Sequence, residues 1–238
     1  MQRHDGRTPD QPRPVTFQRG FTRTAPGSVL ASFGETRVLC TATFTDGVPP
    51  FLQGKGQGWL TAEYSMLPSS TGGRKPRDRG GKIDGRSVEI QRLIGRSLRA
   101  VIDFKKMTER TIWIDCDVLQ ADGGTRTTAI TGAYVALHDL LKQMEERRIL
   151  RGWPLVTELA AVSVGVVNGA AVCDLDYAED RKADVDMNLV MTGAGEFVEI
   201  QGSAEGATFG RELLNEMLEM GENTIRQLFD LQRAALEK

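Results

Sequence analysis

The stretch that most constrains the fold of this chain is a strand-like run that passes almost directly into a long helical run. The sequence TIWIDCDV, around residues 111–118, is typical of a strand, and TAITGAYVALHDLLKQM, from residue 128, is typical of a helix that continues to about Arg148. Between them lies QADGGTRT, residues 120–127. Two glycines, a hydroxyl and an arginine therefore fall where a strand turns into a helix.

That turn has the composition of an anion site. A helix N-terminus presents unpaired N–H groups and the positive end of the helix dipole. Gly123 and Gly124 let a backbone approach an anion closely, Thr125 adds a hydroxyl, and Arg126 adds a guanidinium fork that suits phosphate oxygens. The turn therefore predicts a phosphate site, although the same residues also suit an ordinary strand-to-helix turn with Thr125 as the N-cap. It lacks the GxxxxGK[ST] pattern of nucleoside triphosphatases.

A second glycine–arginine pair stands at the start of another predicted helix. Gly85 and Arg86 precede a helix from roughly Ser87 to Ile102, whose apolar residues recur at helical spacing. Two such helix starts could clamp one phosphate if the fold brings them together. The sequence leaves open whether they meet.

The stretch CDLDYAEDRKADVDMNLV, residues 173–190, carries the acidic candidates Asp174, Asp176, Glu179, Asp180, Asp184 and Asp186. Asp184 and Asp186 are two positions apart in a strand-like run, so both should point to one face. Carboxylates without a neighbouring histidine or cysteine suit Mg²⁺ or Mn²⁺ better than zinc. The alternative is a solvated acidic turn that Arg181 and Lys182 neutralise in part.

A glycine-rich loop at about residues 69–82 is the third candidate. Residues 68–86 carry six basic residues against two acidic ones and no aromatic residue, so we expect a flexible basic loop. Such a loop would contact the backbone of a nucleic acid without reading its bases, or would simply solubilise the surface. The candidate RNA-binding residues are Arg74, Lys75, Arg77 and Arg79.

Composition narrows the class of protein. The hydrophobic content of 40% and the charged content of 26% are ordinary for a soluble globular protein, and no apolar run approaches the ~20 residues needed to span a membrane, so no membrane association is expected. The N-terminus lacks the apolar core of a secretory signal. With a formal net charge of −2, a polyanion partner would have to be bound by a local basic patch. The expected location is the cytoplasm.

Three dispersed cysteines predict buried thiols rather than a metal or redox pair. Two histidines, His4 and His138, argue against a histidine dyad or a Ser-His-Asp triad.

Helical and strand patterns alternate with hairpins, so the predicted fold class is α/β in the mixed α+β sense, with mixed sheets and hairpins packed on helices. Residues 47–83 are expected to be mostly loop, and a terminal helix from about Phe209 to Leu236 is expected to break near Gly221. The expected domain organisation is a loosely held polar tail, 1–13, followed by a single catalytic domain, 14–238. The hairpins are predicted to turn at Phe33-Gly34-Glu35-Thr36, Val167-Asn168-Gly169 and Gly193-Ala194-Gly195.

Taken together, the motifs resemble the ribonuclease PH family, whose members are phosphate-dependent exoribonucleases that act on tRNA 3′ ends. The likeness runs over nearly the whole chain, and becomes less distinctive beyond Gly206. A small departure is Ser203, where the family usually has threonine, and it keeps the hydroxyl. The matching segments are RPVTFQRGFT, GSVLASFGETRVLCTA, GVPPFLQGKGQGWLTAEYSMLP, GRSVEIQRLIGRSLRAV, DCDVLQADGGTRTTAITGA, AAVSVGVVNG, CDLDYAEDRKADVDMN and EIQGSAEG.

The resemblance implies a role for each candidate. Arg86 and the segment Gly124-Thr125-Arg126 match the family's phosphate-binding positions, and Asp180 and Asp186 match the acidic pair linked to metal and catalysis. The implied co-substrate is inorganic phosphate, the implied cofactor is Mg²⁺ or Mn²⁺, and the implied substrates are tRNA precursors and other RNA 3′ ends. The products would be nucleoside diphosphates, and the reverse reaction would add nucleotides from them. The resemblance also implies a homohexameric ring, a trimer of dimers, related to polynucleotide phosphorylase and the exosome ring.

Two other functions stay open at this point. The acidic stretch alone would permit a hydrolytic, metal-dependent exonuclease, which releases nucleoside monophosphates and needs no phosphate site. A silent RNA-binding ring subunit is the second alternative, because relatives of that kind exist. Such subunits tend to lack the arginines or the acidic pair, and here all four of those residues are present, which favours activity.

Overall fold

The computed structural model describes residues 3–77, 84–206 and 208–237. Within these residues, none of the helices is long and apolar enough to cross a membrane. The strands are β1 (Val15–Arg19), β2 (Gly27–Phe33), β3 (Thr36–Asp46), β4 (Trp59–Met66), β5 (Arg110–Gln120), β6 (Leu159–Val167), β7 (Ala170–Cys173), β8 (Val185–Thr192) and β9 (Phe197–Ala204). The α-helices are α1 (Gly85–Arg99), α2 (Thr125–Glu146), α3 (Tyr177–Asp180) and α4 (Arg211–Leu236), and short 3-10 turns span Pro50–Leu52 and Phe104–Lys106.

The first sheet is mixed and has the order β1-β2-β3-β5-β4. Strands β1, β2, β3 and β5 pair antiparallel, whereas β4 pairs parallel to β5. Helix α1 lies in the connection between these two parallel strands and packs on β4. The second sheet has the order β7-β6-β8-β9 and is antiparallel throughout. The mixed α/β fold class and the three hairpins predicted from the sequence are confirmed.

Strand β6 explains how the layers stack. All nine of its residues are buried because both of its faces are covered. Leu159 and Ala161 belong to the core that contains α1 and α2, whereas Val162 and Val164 belong to a second core that contains α4. The second sheet is therefore held between α2 and α4, and α2 also packs on β2 and β3 of the first sheet.

Helix α2 lies between the two sheets, and 15 of its 22 residues are buried. It approaches the first sheet closely because small residues line the contact: a Cβ at Gly132 would lie 2.5 Å from the Cβ of Ala31. On its other side, the hydroxyl of Thr131 donates to the carbonyl of Ala161 at 3.2 Å and accepts from the amide of Ala161 at 3.0 Å. These contacts fix where the N-terminus of α2 stands relative to both sheets.

The N-terminal segment differs from the prediction. The expectation of a loosely held tail over residues 1–13 is wrong for its described part, because Arg3, Arg7 and Arg13 are buried. Arg3 donates to Glu179 at 2.7 Å and to the carbonyl of Cys173 at 2.8 Å. A polar segment forms a loose tail only when its charged side chains find no partners in the rest of the fold. Here buried carboxylates are the partners of these arginines.

Two further predictions about elements were wrong. The residues of β4 were expected to be loop, because glycines and prolines surround them, but they form a strand whose Leu60 and Tyr64 are buried. The predicted break near Gly221 is absent from the described residues, since α4 runs from Arg211 to Leu236. Gly221 instead allows close packing, because a Cβ there would lie 2.2 Å from Cδ1 of Leu189. The three cysteines are buried free thiols, as predicted.

Replacing Gly27 with alanine tests the contact between α2 and the first sheet. A Cβ at Gly27 would lie 1.9 Å from the carbonyl oxygen of Ala136, so the helix or the strand must shift. We expect Gly27→Ala to lower the free energy of unfolding by roughly 1–3 kcal/mol in urea denaturation. The matched control is Gly152→Ala, whose nearest neighbour would be Cδ of Lys106 at 3.9 Å. Equal stability of the two variants would contradict this account.

Candidate active site

A cleft of about 600 Å³ opens where the N-termini of α1 and α2 meet α3 and the loop after β4. It brings together two features that the sequence could not connect, the glycine-rich turn before α2 and the glycine–arginine start of α1. The residues that line it are Met66, Thr71, Gly72, Gly73, Lys75, Arg86, Ala121, Gly123, Gly124, Thr125, Tyr177 and Asp180.

The turn before α2 needs both of its glycines. Gly123 and Gly124 have φ angles of 73° and 63°, in the left-handed region. A Cβ at Gly123 would lie 2.6 Å from the carbonyl oxygen of Leu175, so the turn packs directly against the chain that leads into α3. Gly124 is the N-cap of α2, and Thr125 is the first helical residue rather than the cap. The hydroxyl of Thr36 holds the turn by donating to the carbonyl of Gly123 at 2.6 Å.

Of the two predicted arginines, one lines this cleft, and the charges of both act on the carboxyl of Asp180, which also lines it. Arg86 lies in the first turn of α1 and lines the cleft. Arg126 lies in the first turn of α2, where its Nη1 donates to Gln201 at 2.7 Å and to Glu89 at 3.2 Å. These bonds hold the guanidinium between α1 and β9. The charges of both arginines act on the carboxyls of Asp180 and Asp186, so the four groups share one electrostatic environment.

The two carboxylates stand on different elements. Asp180 ends α3, and Asp186 is the second residue of β8, where it pairs in register with Gly165 on β6 and Ser203 on β9. Burial raises the pKa of Asp180, against the opposing effect of the nearby arginines. Burial and the charge of Asp180 raise the pKa of Asp186 from 3.8 to about 6. Asp184, predicted to share a face with Asp186, is exposed and precedes β8.

These carboxylates fit a hard divalent cation. Their oxygens are the ligand type that Mg²⁺ and Mn²⁺ prefer, and Mg²⁺ typically takes one or two carboxylates and completes its shell with water and substrate phosphate. The charge of Asp180 opposes ionisation of Asp186, and a bound cation would relieve that repulsion. The residues present are therefore compatible with the predicted metal.

Other carboxylates of the acidic stretch pair with arginines of the N-terminal segment. Asp176 caps α3 by accepting from the amide of Glu179 at 3.0 Å, in a reciprocal capping box. His4, Asp176 and Glu179 lie close enough to share a metal ion. However, Arg3 and Arg7 already pair with Glu179, so this cluster is a structural ion-pair network.

Arg13 is a positioning residue that sequence reasoning missed. Its backbone amide and its Nε both donate to Oδ2 of Asp174, at 2.8 and 2.9 Å, and its Nη2 donates to Oδ1 at 2.6 Å. Its Nη1 donates to the carbonyl of Asp122, inside the glycine-rich turn. Arg13 therefore ties the turn before α2 to the acidic loop before α3. A signal existed in the sequence, since this arginine falls inside one of the matching family segments, RPVTFQRGFT.

Of the four predicted RNA-binding residues, one lines the cleft. Lys75 lines the cleft and pairs with Asp84 at 3.2 Å. Arg74 and Arg77 are exposed, and Arg79 lies outside the described residues. The described part of the basic loop therefore places a cation beside the glycine-rich turn.

Three further arginines of α1 have separate surroundings. Arg96 pairs with Glu199 on β9. Arg99 lies 4.8 Å from the ring centroid of Trp59 and donates to the carbonyl of Leu60. Arg92 is exposed. Two of the three thus make contacts within the subunit.

The raised pKa of Asp186 predicts a pH-dependent effect of Asp186→Asn on the metal-free protein. Because its pKa in the folded protein, about 6, exceeds the ordinary 3.8, the folded state keeps this proton more tightly than the unfolded chain. The contribution of Asp186 to the free energy of unfolding is therefore fully present below pH 4. It is lost as the pH rises through 6, because the carboxyl then ionises in the folded protein as well. We expect Asp186→Asn to exceed the wild type in unfolding free energy by on the order of 2 kcal/mol at pH 7.5 and to match it near pH 4.

The measurement is urea denaturation between pH 4 and 8 in the presence of a chelator. Asp184→Asn, at the exposed position two residues earlier, is the matched control. A stability difference for Asp186→Asn that does not change with pH would contradict the assignment.

Comparison with solved structures finds the same fold in Rrp46 and in archaeal exosome structures. Rice (Oryza sativa) Rrp46 superposes with a TM-score of 0.80 at 20% identity, over 99% of this chain and 100% of that one. An Archaeoglobus fulgidus exosome with RNA bound to the active site superposes with a TM-score of 0.80 at 22% identity, over 96% of this chain and 92% of that one. An archaeal exosome core superposes with a TM-score of 0.77 at 20% identity, over 98% of this chain and 91% of that one.

Family models match both halves of the chain. The model for the 3′ exoribonuclease family, domain 1, matches residues 11–142, which include the first sheet, α1 and most of α2. The model for domain 2 of the same family matches residues 158–224, which include the second sheet and the first half of α4. The cleft therefore takes Arg86 and the glycine-rich turn from one half and Asp180 from the other. The chain belongs to the 3′ exoribonuclease family.

Proposed function

We propose that this protein is a phosphate-dependent 3′-to-5′ exoribonuclease of the ribonuclease PH type that trims the 3′ ends of tRNA precursors. The observation that carries the proposal is that Arg86 and the glycine-rich turn line the same cleft as Asp180, whose carboxyl also feels the charge of Arg126. A hydrolytic nuclease would need the carboxylates, but it would not need a separate anion site built from two helix starts.

In the proposed reaction, inorganic phosphate is bound by Arg86, Arg126, Thr125 and the backbone N–H groups at the start of α2. An oxygen of this phosphate attacks the phosphorus of the last phosphodiester of the RNA. The bond from that phosphorus to the preceding 3′ oxygen breaks, and the 3′ oxygen takes up a proton. The products are a nucleoside diphosphate and an RNA shortened by one nucleotide.

The cleft would assist this reaction in two ways. Holding both reactants removes much of the entropic cost of a bimolecular attack, and the two arginines offset the repulsion between two anions. Asp180 and Asp186 would hold a divalent cation, which supplies positive charge to the phosphate oxygens in the transition state. The alternative role of Asp180 or Asp186, whose pKa values are raised, is to donate a proton to the leaving oxygen, since a carboxylate that holds the cation is ionised and has no proton to give.

A phosphodiester is exchanged for a phosphoanhydride, so the overall free-energy change should be small. The reaction should therefore also run in reverse and add nucleotides from nucleoside diphosphates. Arg74, Lys75, Arg77 and Arg79 would contact the backbone of the tRNA and position it without reading its bases. The RNA-bound exosome of the same fold supports RNA as the polymer.

We further propose that copies of this chain assemble into a homohexameric ring, a trimer of dimers, in the cytoplasm. Exposed Phe197 and Ile200 on the edge strand β9 support a subunit contact. The buried free thiols suit a reducing compartment. Sedimentation that gave the mass of a single subunit at micromolar concentration would contradict the ring.

The direct test uses a tRNA with a few extra 3′ nucleotides and Mg²⁺, in buffers with and without phosphate. We expect nucleoside diphosphates to be released in the phosphate buffer alone, as identified by chromatography. Monophosphates in both buffers would identify a hydrolase. No release in either buffer would identify a silent RNA-binding subunit.

In the same assay, Arg126→Ala should reduce phosphorolysis at least about 100-fold, because it removes a preorganised donor to the attacking anion. The control is Arg226→Ala, which removes an exposed arginine on α4 that pairs with Glu222. Full activity of Arg126→Ala would refute the phosphate assignment, provided both variants keep the wild-type oligomeric state.

A further inference from the structure

Behind the glycine-rich turn lies a buried tyrosine that the proposed reaction does not yet use. Tyr64 is in β4 and is 4% exposed. Its hydroxyl lies 2.9 Å from Oγ1 of Thr125, the first residue of α2. Thr125 lines the cleft, and Tyr64 is not among the described residues that line it. The tyrosine therefore touches the site through the threonine.

Burial determines which hydroxyl donates in this pair. A buried hydroxyl that donates no hydrogen bond is costly. Among the described residues, Thr125 Oγ1 is the sole acceptor within reach of the Tyr64 hydroxyl. If Thr125 donated to Tyr64, the phenol hydrogen would be left without an acceptor. Tyr64 is therefore the donor, and one lone pair of Oγ1 is used.

This direction fixes the hydrogen of Thr125. A threonine hydroxyl has one hydrogen and can either donate or accept towards a neighbour in the cleft. With the tyrosine donating into Oγ1 from the buried side, the hydrogen of Thr125 is free to point to the cleft. The charged oxygens of a phosphate accept hydrogen bonds, so a hydroxyl oriented as a donor binds them better than one that rotates freely.

We propose that Tyr64 is a positioning residue of the anion site, which orients the Thr125 hydroxyl as a donor to inorganic phosphate. This rests on the proposed phosphorolytic function and names a residue beyond those assigned to it. The pKa of Tyr64 is raised, chiefly by burial, so the phenol keeps its hydrogen at physiological pH. The positive charges of Arg86 and Arg126 oppose this shift, which places Tyr64 within electrostatic reach of both phosphate-binding arginines.

The test compares Tyr64→Phe with Tyr134→Phe. Tyr134 is equally buried, at 4% exposure, but lies in α2 near Glu158 and Arg233, away from the cleft. We expect Tyr64→Phe to raise the KM for phosphate roughly threefold to tenfold and to leave the KM for RNA unchanged. Titration calorimetry with inorganic phosphate should show the same loss of affinity without turnover. Tyr134→Phe should change neither value.

Substitution of the threonine separates positioning from a merely structural role. In a Thr125→Ser background the hydroxyl remains, so Tyr64→Phe should again raise the KM for phosphate. In a Thr125→Ala background the hydroxyl is gone, so adding Tyr64→Phe should have no further effect. A structural role would instead lower the melting temperature and raise both KM values in every background.

The outcomes separate this inference from the proposed function. If Tyr64→Phe leaves the KM for phosphate at the wild-type value, or raises it equally in the Thr125→Ala background, the positioning role is wrong although phosphorolysis stands. If the wild-type protein neither binds phosphate nor needs it for RNA degradation, the proposed function fails first.

Discussion

The buried ion pair between Arg13 and Asp174 is the interaction on which the arrangement of the site depends. Removing one partner of a buried ion pair typically lowers the free energy of unfolding by about 3–5 kcal/mol, because the remaining charge is buried without a partner. Here the arginine also donates to the carbonyl of Asp122, so it joins the glycine-rich turn of the first half to the acidic loop of the second. The backbone at Asp174 is left-handed, with φ of 47°, and directs the chain from β7 towards α3. The position of Asp180 opposite the turn follows from this link.

The cleft holds its charges in fixed positions before any ligand is present. Arg126 is held by Glu89 and Gln201, and Thr125 is held by Tyr64, so in the proposed reaction these groups would need little reorganisation to bind an anion. The carboxylates are less well satisfied, since burial and mutual repulsion raise the pKa of Asp186. An anion beside the arginines and a cation beside the carboxylates would together complete the charge balance. This is the arrangement that phosphoryl transfer between two anions requires.

The misassigned segments share a physical cause. Residues 3–13 have the composition of a tail, but their arginines are buried against Asp174 and Glu179, which lie far along the chain. Strand β4 stands among glycines and prolines that indicate loop, but it gains a parallel partner in β5. Gly221 weakens a helix in isolation, whereas in the fold it makes room for Leu189. In each case a tertiary contact outweighed the local preference.

The sequence by itself determined the hairpins, the long helix α2, the glycine-rich turn before it and the candidate carboxylates. These features depend on periodicity, glycine placement and short spacings, which act between neighbours in the chain. The tertiary structure alone decided that the helix starts meet, that Asp180 faces them, and that Tyr64 backs Thr125. Those contacts join residues 61 positions apart for Tyr64 and Thr125, and 161 apart for Arg13 and Asp174. No local pattern encodes which distant partner a buried polar group will find, because that choice is made by the packing of α2 between the two sheets.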